Sequence, residues 1–208
     1  MVGAGLLAAF VLWTVLIHFV DVGAIGPQES SVGFATLNGY VHNLTGMNMF
    51  LYVITDWLGL VPIACVLGFA ILGLVQWMKR RSLFKVDRSL LVLGVFYVVV
   101  MAVYGFFEIV VINYRPVLIN GYLEASYPSS TTMLVMCVMP TAIMQLNTRI
   151  KKRLFRRCVA LAISVFITFM VIGRLVSGVH WFTDIIGGAL ISTGLMLMYD
   201  AVSCLEHE

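Results

Sequence analysis

Charge is scarce in this chain. Of 208 residues, 13 are Lys or Arg and 10 are Asp or Glu, too little polar surface to cover the core of a soluble domain. Internal repeats and low-complexity tracts are missing as well. No basic patch is interleaved with aromatic residues, so nothing points to nucleic acid. The four cysteines, Cys65, Cys137, Cys158 and Cys204, form no C-x-x-C pair. Each lies within or at the end of an apolar run, where a thiol acts as a small core hydrophobe rather than a metal ligand or half of a disulfide. The amino terminus has no basic n-region and no clear cleavage site, so its first apolar run is expected to be retained. The closing Leu205 to Glu208, His207 included, partly resembles an expression scar and carries no argument.

Apolar residues fill the rest. They make up 61% of the sequence, and the mean hydropathy is +1.01. At about 20 residues per crossing, apolar runs near 5–20, 58–78, 90–112, 131–146, 158–176 and 182–202 predict six transmembrane helices. The expected fold class is an all-α polytopic membrane protein, with one domain over residues 1–208. The fourth run contains Pro140, a candidate kink that neighbouring helices can accommodate. Between Asp21 and Trp57, apolar residues recur at helical spacing without a run long enough to span. This segment is expected to hold interfacial helices that cap the bundle or gate a lipid tail. Gly26-Pro27 predicts the turn leading into it. His42 and Asp56 lie here without a partner at metal-ligand spacing, and His18, inside the first run, is expected to bond to a neighbouring helix.

The basic residues predict orientation. Five sit between the second and third runs (Lys79, Arg80, Arg81, Lys85, Arg88) and six between the fourth and fifth (Arg149, Lys151, Lys152, Arg153, Arg156, Arg157). The positive-inside rule puts those loops and both termini in the cytoplasm. Arg115 and Arg174 are left at the outer ends of spans, where snorkelling to the inner surface does not explain them.

Arg174 also belongs to the densest cluster of polar chemistry, Gly173 to Asp184, which reads G-R-L-V-S-G-V-H-W-F-T-D. A charged group among transmembrane residues costs roughly 2.5 kcal/mol or more on insertion scales, so Arg174, His180 and Asp184 together read as a functional site. If a helix begins near His180, Asp184 shares its face, and the carboxylate can reach one imidazole nitrogen and leave the other free. Two more segments open on the same side: E-I-V-V-I-N-Y-R-P from Glu108 to Pro116, and Y-P-S-S-T-T from Tyr127 to Thr132. A helix starting near Ser129 would point free N–H groups at an anion, with Ser129, Ser130 and Thr131 adding hydroxyls. An ordinary N-cap is the plainer reading of Ser129 alone.

These segments resemble the three signature motifs of the type 2 phosphatidic acid phosphatase superfamily, K-x6-R-P, P-S-G-H and S-R-x5-H-x3-D. Arg174, His180 and Asp184 fall at the third motif's intervals, with Gly173 in place of Ser. Arg115-Pro116 and Pro128-Ser129 also match, whereas Glu108 replaces the family's Lys, Ser130 its Gly and Thr131 its His. The resemblance implies a lipid phosphatase or phosphoryl transferase that needs no cofactor or metal. His180 would be the nucleophile, oriented by Asp184, with Arg115 and Arg174 clamping the phosphate and Ser129, Ser130 and Thr131 completing its cradle. The expected partners are a lipid phosphate or diphosphate substrate and membrane lipids, with no required protein partner. The expected location is a bacterial plasma membrane, with the site facing outside. Because Thr131 cannot supply the proton a histidine would give an alcohol leaving group, polyprenyl diphosphate is one candidate substrate. Glu108 is a candidate replacement acid or a contact for a cationic headgroup. The alternative is a catalytically silent relative that binds or translocates a phospholipid.

Overall fold

The computed structural model describes residues 1–205; the Leu205 side chain and residues 206–208, His207 among them, lie outside the described residues. Among the described residues, eight α-helices hold most of the backbone: α1 (Val2–Phe19), α2 (Ala35–Thr45), α3 (Met49–Leu58), α4 (Leu60–Arg80), α5 (Arg88–Ile109), α6 (Ser130–Arg149), α7 (Arg153–Val176) and α8 (Phe182–Leu205). Among the described residues there is no named strand, only isolated bridges.

Among the described residues, five segments are long and apolar enough to cross a membrane: Val2–Phe19, Met49–Arg80, Arg88–Ile109, Arg153–Val176 and Phe182–Cys204. The second takes in α3 as well as α4. The run expected as a fourth span is α6, which is long enough but less apolar. Its position accounts for the difference. Packed against α4, α5, α7 and α8, it buries Thr132, Met133, Val135, Cys137, Val138, Met139, Thr141, Ala142 and Gln145. A helix that faces protein rather than lipid can carry hydroxyls and an amide, provided they are bonded. The Tyr97 hydroxyl meets Thr141 Oγ1 at 3.1 Å, and Gln145 Nε2 donates to Tyr199 at 2.9 Å. α6 continues unbroken through Pro140.

Outward-facing surfaces of the other spans carry exposed Leu, Ile, Val, Phe and Met, the pattern expected of helices solvated by lipid rather than water. The protein is an integral membrane protein. Two sequence expectations are corrected here. Cys158 and Cys204 are exposed, because they fall on lipid-facing surfaces rather than in the core that holds Cys137. His18 is exposed too, on the last turn of α1, with its ring beside that of Phe19.

The expected interfacial segment forms α2 and α3, after a tight turn at Pro27–Glu29. α2 docks on the start of α8 through the fully buried Asn38, whose Oδ1 accepts from Thr183 N (3.2 Å) and whose Nδ2 donates to Gly33 O (2.8 Å). The turn between α2 and α3 presses on the turn between α7 and α8. Gly178, at φ +68°, makes this possible: a Cβ there would lie 1.9 Å from Gly46 O, so only glycine fits. The cap is thus fixed onto the loop that carries His180.

Candidate active site

The three sequence segments meet where α5 and α7 end and α6 and α8 begin. The loop between α5 and α6 closes on itself through backbone bonds, Ser126 N to Asn113 O (2.9 Å) and Arg115 N to Glu124 O (3.0 Å), around an antiparallel bridge between Tyr114 and Ala125. That short ladder places Asn113 and Arg115 beside Ser126. Trp181 Nε1 donates to Tyr114 O at 2.7 Å and ties the ladder to the third segment. Ser129 N donates to Asp184 O at 3.1 Å and joins the start of α6 to α8.

Asp184 is fully buried at the third position of α8. Its Oδ2 accepts from Trp181 N at 2.8 Å, the reach-back half of a capping box. The same oxygen accepts from the Ser126 hydroxyl, and Oδ1 accepts from Asn113 Nδ2 at 3.4 Å. A buried carboxylate needs such a set of donors to remain charged away from water.

His180 lies in the turn before α8, 3% exposed. Its Nδ1 is 3.1 Å from Ser126 O and 3.2 Å from Ser126 Oγ. A carbonyl only accepts, so these contacts assign the hydrogen to Nδ1 and leave a lone pair on Nε2. Nε2 is buried and has no protein partner. α8 begins at Phe182, after His180, and Asp184 Oδ2 stands 3.8 Å from Nδ1, within ion-pair reach but longer than a hydrogen bond. Burial first, then the charges of Arg115 and Arg174, hold the pKa of His180 well below its ordinary 6.5.

Both arginines are buried and only partly paired. Arg174, in the last turn of α7, is 2% exposed. Its Nη1 donates to Thr55 Oγ1 (3.4 Å), its Nη2 lies 3.5 Å from Asp56 Oδ1, its guanidinium sits 5.0 Å from the centre of the Tyr52 ring, and its Nε has no partner. Arg115 Nε is 3.1 Å from Glu124 Oε2 but is not aligned as a hydrogen bond, and Nη1 is also without a partner. Asp56, which offered no signal in sequence, is therefore part of the site through α3. Gly173 admits α3 at this point, because a Cβ there would lie 2.8 Å from Thr55 Cγ2.

The remaining expected residues lie at the end of α5 and the start of α6. Ser129 caps α6, its Oγ 3.5 Å from Thr132 N. Glu108, exposed on the last turn of α5, lines a narrow pocket with Tyr104, Ser126 and Ser130. Ser130 also lines, with Thr131, a cavity of about 460 Å³ bounded by Asp56, Tyr104 and apolar residues of α4, α5 and α6. Among the described residues, no group of three His, Cys, Asp or Glu is placed to hold a metal ion. Sequence reasoning missed Ser126, Asn113 and Thr55. Ser126 and Asn113 each lie within three residues of a motif residue, but Ser and Asn are ordinary in loops, and only the folded ladder brings them to Asp184.

The family model described as the PAP2 superfamily matches residues 90–202, more than half of the chain. The chain belongs to the PAP2 superfamily. Its fold is similar to the crystal structure of a transmembrane PAP2-type phosphatidylglycerolphosphate phosphatase from Bacillus subtilis, with a TM-score of 0.64 at 17% identity over 97% of this chain and 95% of that one. No curated relative matches the chain. The matched region takes in all three segments of the candidate site and leaves α1 to α4, with the α3 contacts to Arg174, outside it.

Proposed function

We propose that the protein is a membrane lipid phosphatase that removes phosphate from a lipid phosphate or diphosphate through a phosphohistidine at His180. The observation that carries this reading is the buried, unpartnered Nε2 of His180, in the same site as two buried arginines that each have an unpartnered guanidinium nitrogen. Unpaired buried donors are costly, and a phosphate group would meet them all. Nε2 attacks phosphorus, the N–P bond forms, and the bond to the leaving oxygen breaks. Arg115 and Arg174 stabilise the charge on the nonbridging oxygens. Water then attacks the phosphohistidine, releasing inorganic phosphate and returning the electron pair to Nε2.

Thr131 occupies the motif position of the proton donor and cannot serve as one near neutral pH. A leaving group that needs no proton is therefore favoured, such as the polyprenyl monophosphate left when a polyprenyl diphosphate loses its terminal phosphate. The cavity between α4, α5 and α6 offers the lipid chain a path to Ser130 and Thr131. The charge distribution of the loops supports a site facing outside, in a bacterial plasma membrane, with both termini in the cytoplasm.

A silent lipid-binding or translocating role is the second reading, favoured by Glu108 and Thr131 and by the carboxylates of Glu124 and Asp56 already beside the two arginines. Phosphate release from polyprenyl diphosphate, phosphatidic acid and phosphatidylglycerolphosphate by wild type and His180→Ala separates the two. The phosphatase reading predicts release from the diphosphate, little from phosphatidic acid and none by the variant. Binding of these lipids without release by either protein would establish the silent role.

A further inference from the structure

We infer that Ser126 is the positioning residue through which Asp184 acts on His180. This rests on the phosphohistidine reading above and concerns how its nucleophile is held. His180 Nδ1 and Asp184 Oδ2 are 3.8 Å apart, within ion-pair reach but too far for a hydrogen bond between them. The Ser126 hydroxyl bridges the pair, with Oγ 3.2 Å from Nδ1 and donating to Asp184 Oδ2. A hydroxyl has one hydrogen, and the carboxylate can only accept. The Ser126 hydrogen therefore lies toward Asp184, and an Oγ lone pair faces the Nδ1–H. That hydrogen is shared between Oγ and the Ser126 carbonyl oxygen at 3.1 Å.

The remaining bonds of Asp184 hold the carboxylate in place beside the imidazole rather than hydrogen-bonded to it. Oδ2 also accepts Trp181 N at 2.8 Å, and Oδ1 takes the Asn113 amide at 3.4 Å. The carboxylate is thus anchored to the first turn of α8 and to the Asn113 ladder, while its charge reaches the imidazole by polarising the serine hydroxyl. Ser126 is itself rigid, 2% exposed and with its N–H bonded to Asn113 O. As Nε2 bonds to phosphorus, the ring gains positive charge at Nδ1–H. The bond to the polarised Oγ strengthens with it, so its effect falls on the transition state more than on substrate binding.

A serine that merely satisfies a buried carboxylate would show a different pattern. The test compares Ser126→Ala, Ser126→Cys, Asp184→Asn and each Ser126 variant combined with Asp184→Asn, in detergent-purified protein whose melting midpoint is recorded. For polyprenyl diphosphate hydrolysis, each single variant is expected to lower kcat about 10- to 100-fold, the span of one hydrogen bond to a charged group, with KM within about twofold. The double variants are expected to be no slower than the slower single. Multiplicative losses in the double variants, or a Ser126→Cys enzyme with wild-type kcat, would overturn the inference. A catalysis-free readout keeps the two proposals apart. In spectra of ¹⁵N-histidine protein, Asp184→Asn is expected to shift the His180 Nδ1–H resonance in the wild-type background and not in Ser126→Cys. A shift of equal size in both backgrounds would mean a direct contact and contradict the inference, even if no lipid were hydrolysed.

Discussion

His180 sets the pH behaviour of the site. Its pKa is depressed by burial and by two cations, so the imidazole stays neutral, and Nε2 stays available, at pH values where a solvent histidine is protonated. The acid limb of kcat/KM is therefore expected below pH 6.5, readable from initial rates of phosphate release between pH 4 and pH 9. Stability follows the same sign. With the folded pKa lowered, the unfolded chain takes up the proton first as pH falls. The contribution is present above the unfolded pKa of about 6.5 and is lost between that value and the lower folded one. Denaturation midpoints of wild type should fall over that window more steeply than those of His180→Ala. Arg174 is expected to be just as particular. Replacement by Lys removes the planar fork that faces Thr55 and Asp56 together and should lower kcat/KM about 100-fold, as for loss of a transition-state donor.

At the scale of elements, the contacts of α2 and α3 with α8 and α7 decide whether the site assembles. Asn38 supplies the acceptor for Thr183 N that α8 lacks within itself. Asn38→Ala leaves that buried N–H unpaired and should cost about 1 to 3 kcal/mol, measured by chemical denaturation in detergent. Gly173 is the other contact. Placing the family's serine there sets its Cβ against Thr55 Cγ2, 2.8 Å away. Thr55 cannot rotate freely, because its hydroxyl donates to Leu51 O at 2.9 Å or Tyr52 O at 3.0 Å. Gly173→Ser is expected to destabilise by about 1 to 3 kcal/mol and to displace Asp56 from Arg174. Adding Thr55→Ala should recover most of the loss, and equal destabilisation of the single and double variants would contradict this packing account.

Over the whole molecule, what could be read from the sequence follows from which forces are local. Apolar runs and the two basic loops predict membrane helices because transfer to lipid acts on each segment by itself. The helical spacing of apolar residues between Asp21 and Trp57 likewise anticipates α2 and α3. Intervals within one motif place Arg174, His180 and Asp184 near each other for the same reason. Ser126, Asn113 and Asp56 were hidden because they join the site through pairings between distant segments, and an isolated serine or aspartate carries no mark of such a pairing. The reduced hydropathy of α6 belongs to the same class: its polar residues make sense only once α4, α5, α7 and α8 surround it. The proposed orientation is also a property of the whole. In a background without native cysteines, a cysteine at the exposed Tyr122 should react with a membrane-impermeant maleimide added to intact cells, whereas one at Lys151 should react only after lysis. The reverse pattern would invert the topology.

The central claim is that phosphate passes through Nε2 of His180, and trapping that intermediate tests it most directly. Protein incubated with ³²P-labelled polyprenyl diphosphate and quenched in alkali is expected to carry label that survives base, is released by acid and maps to the peptide spanning Gly173 to Asp184, with none in His180→Ala. Phosphate release by His180→Ala at the wild-type rate, or label on any other residue, would contradict the account.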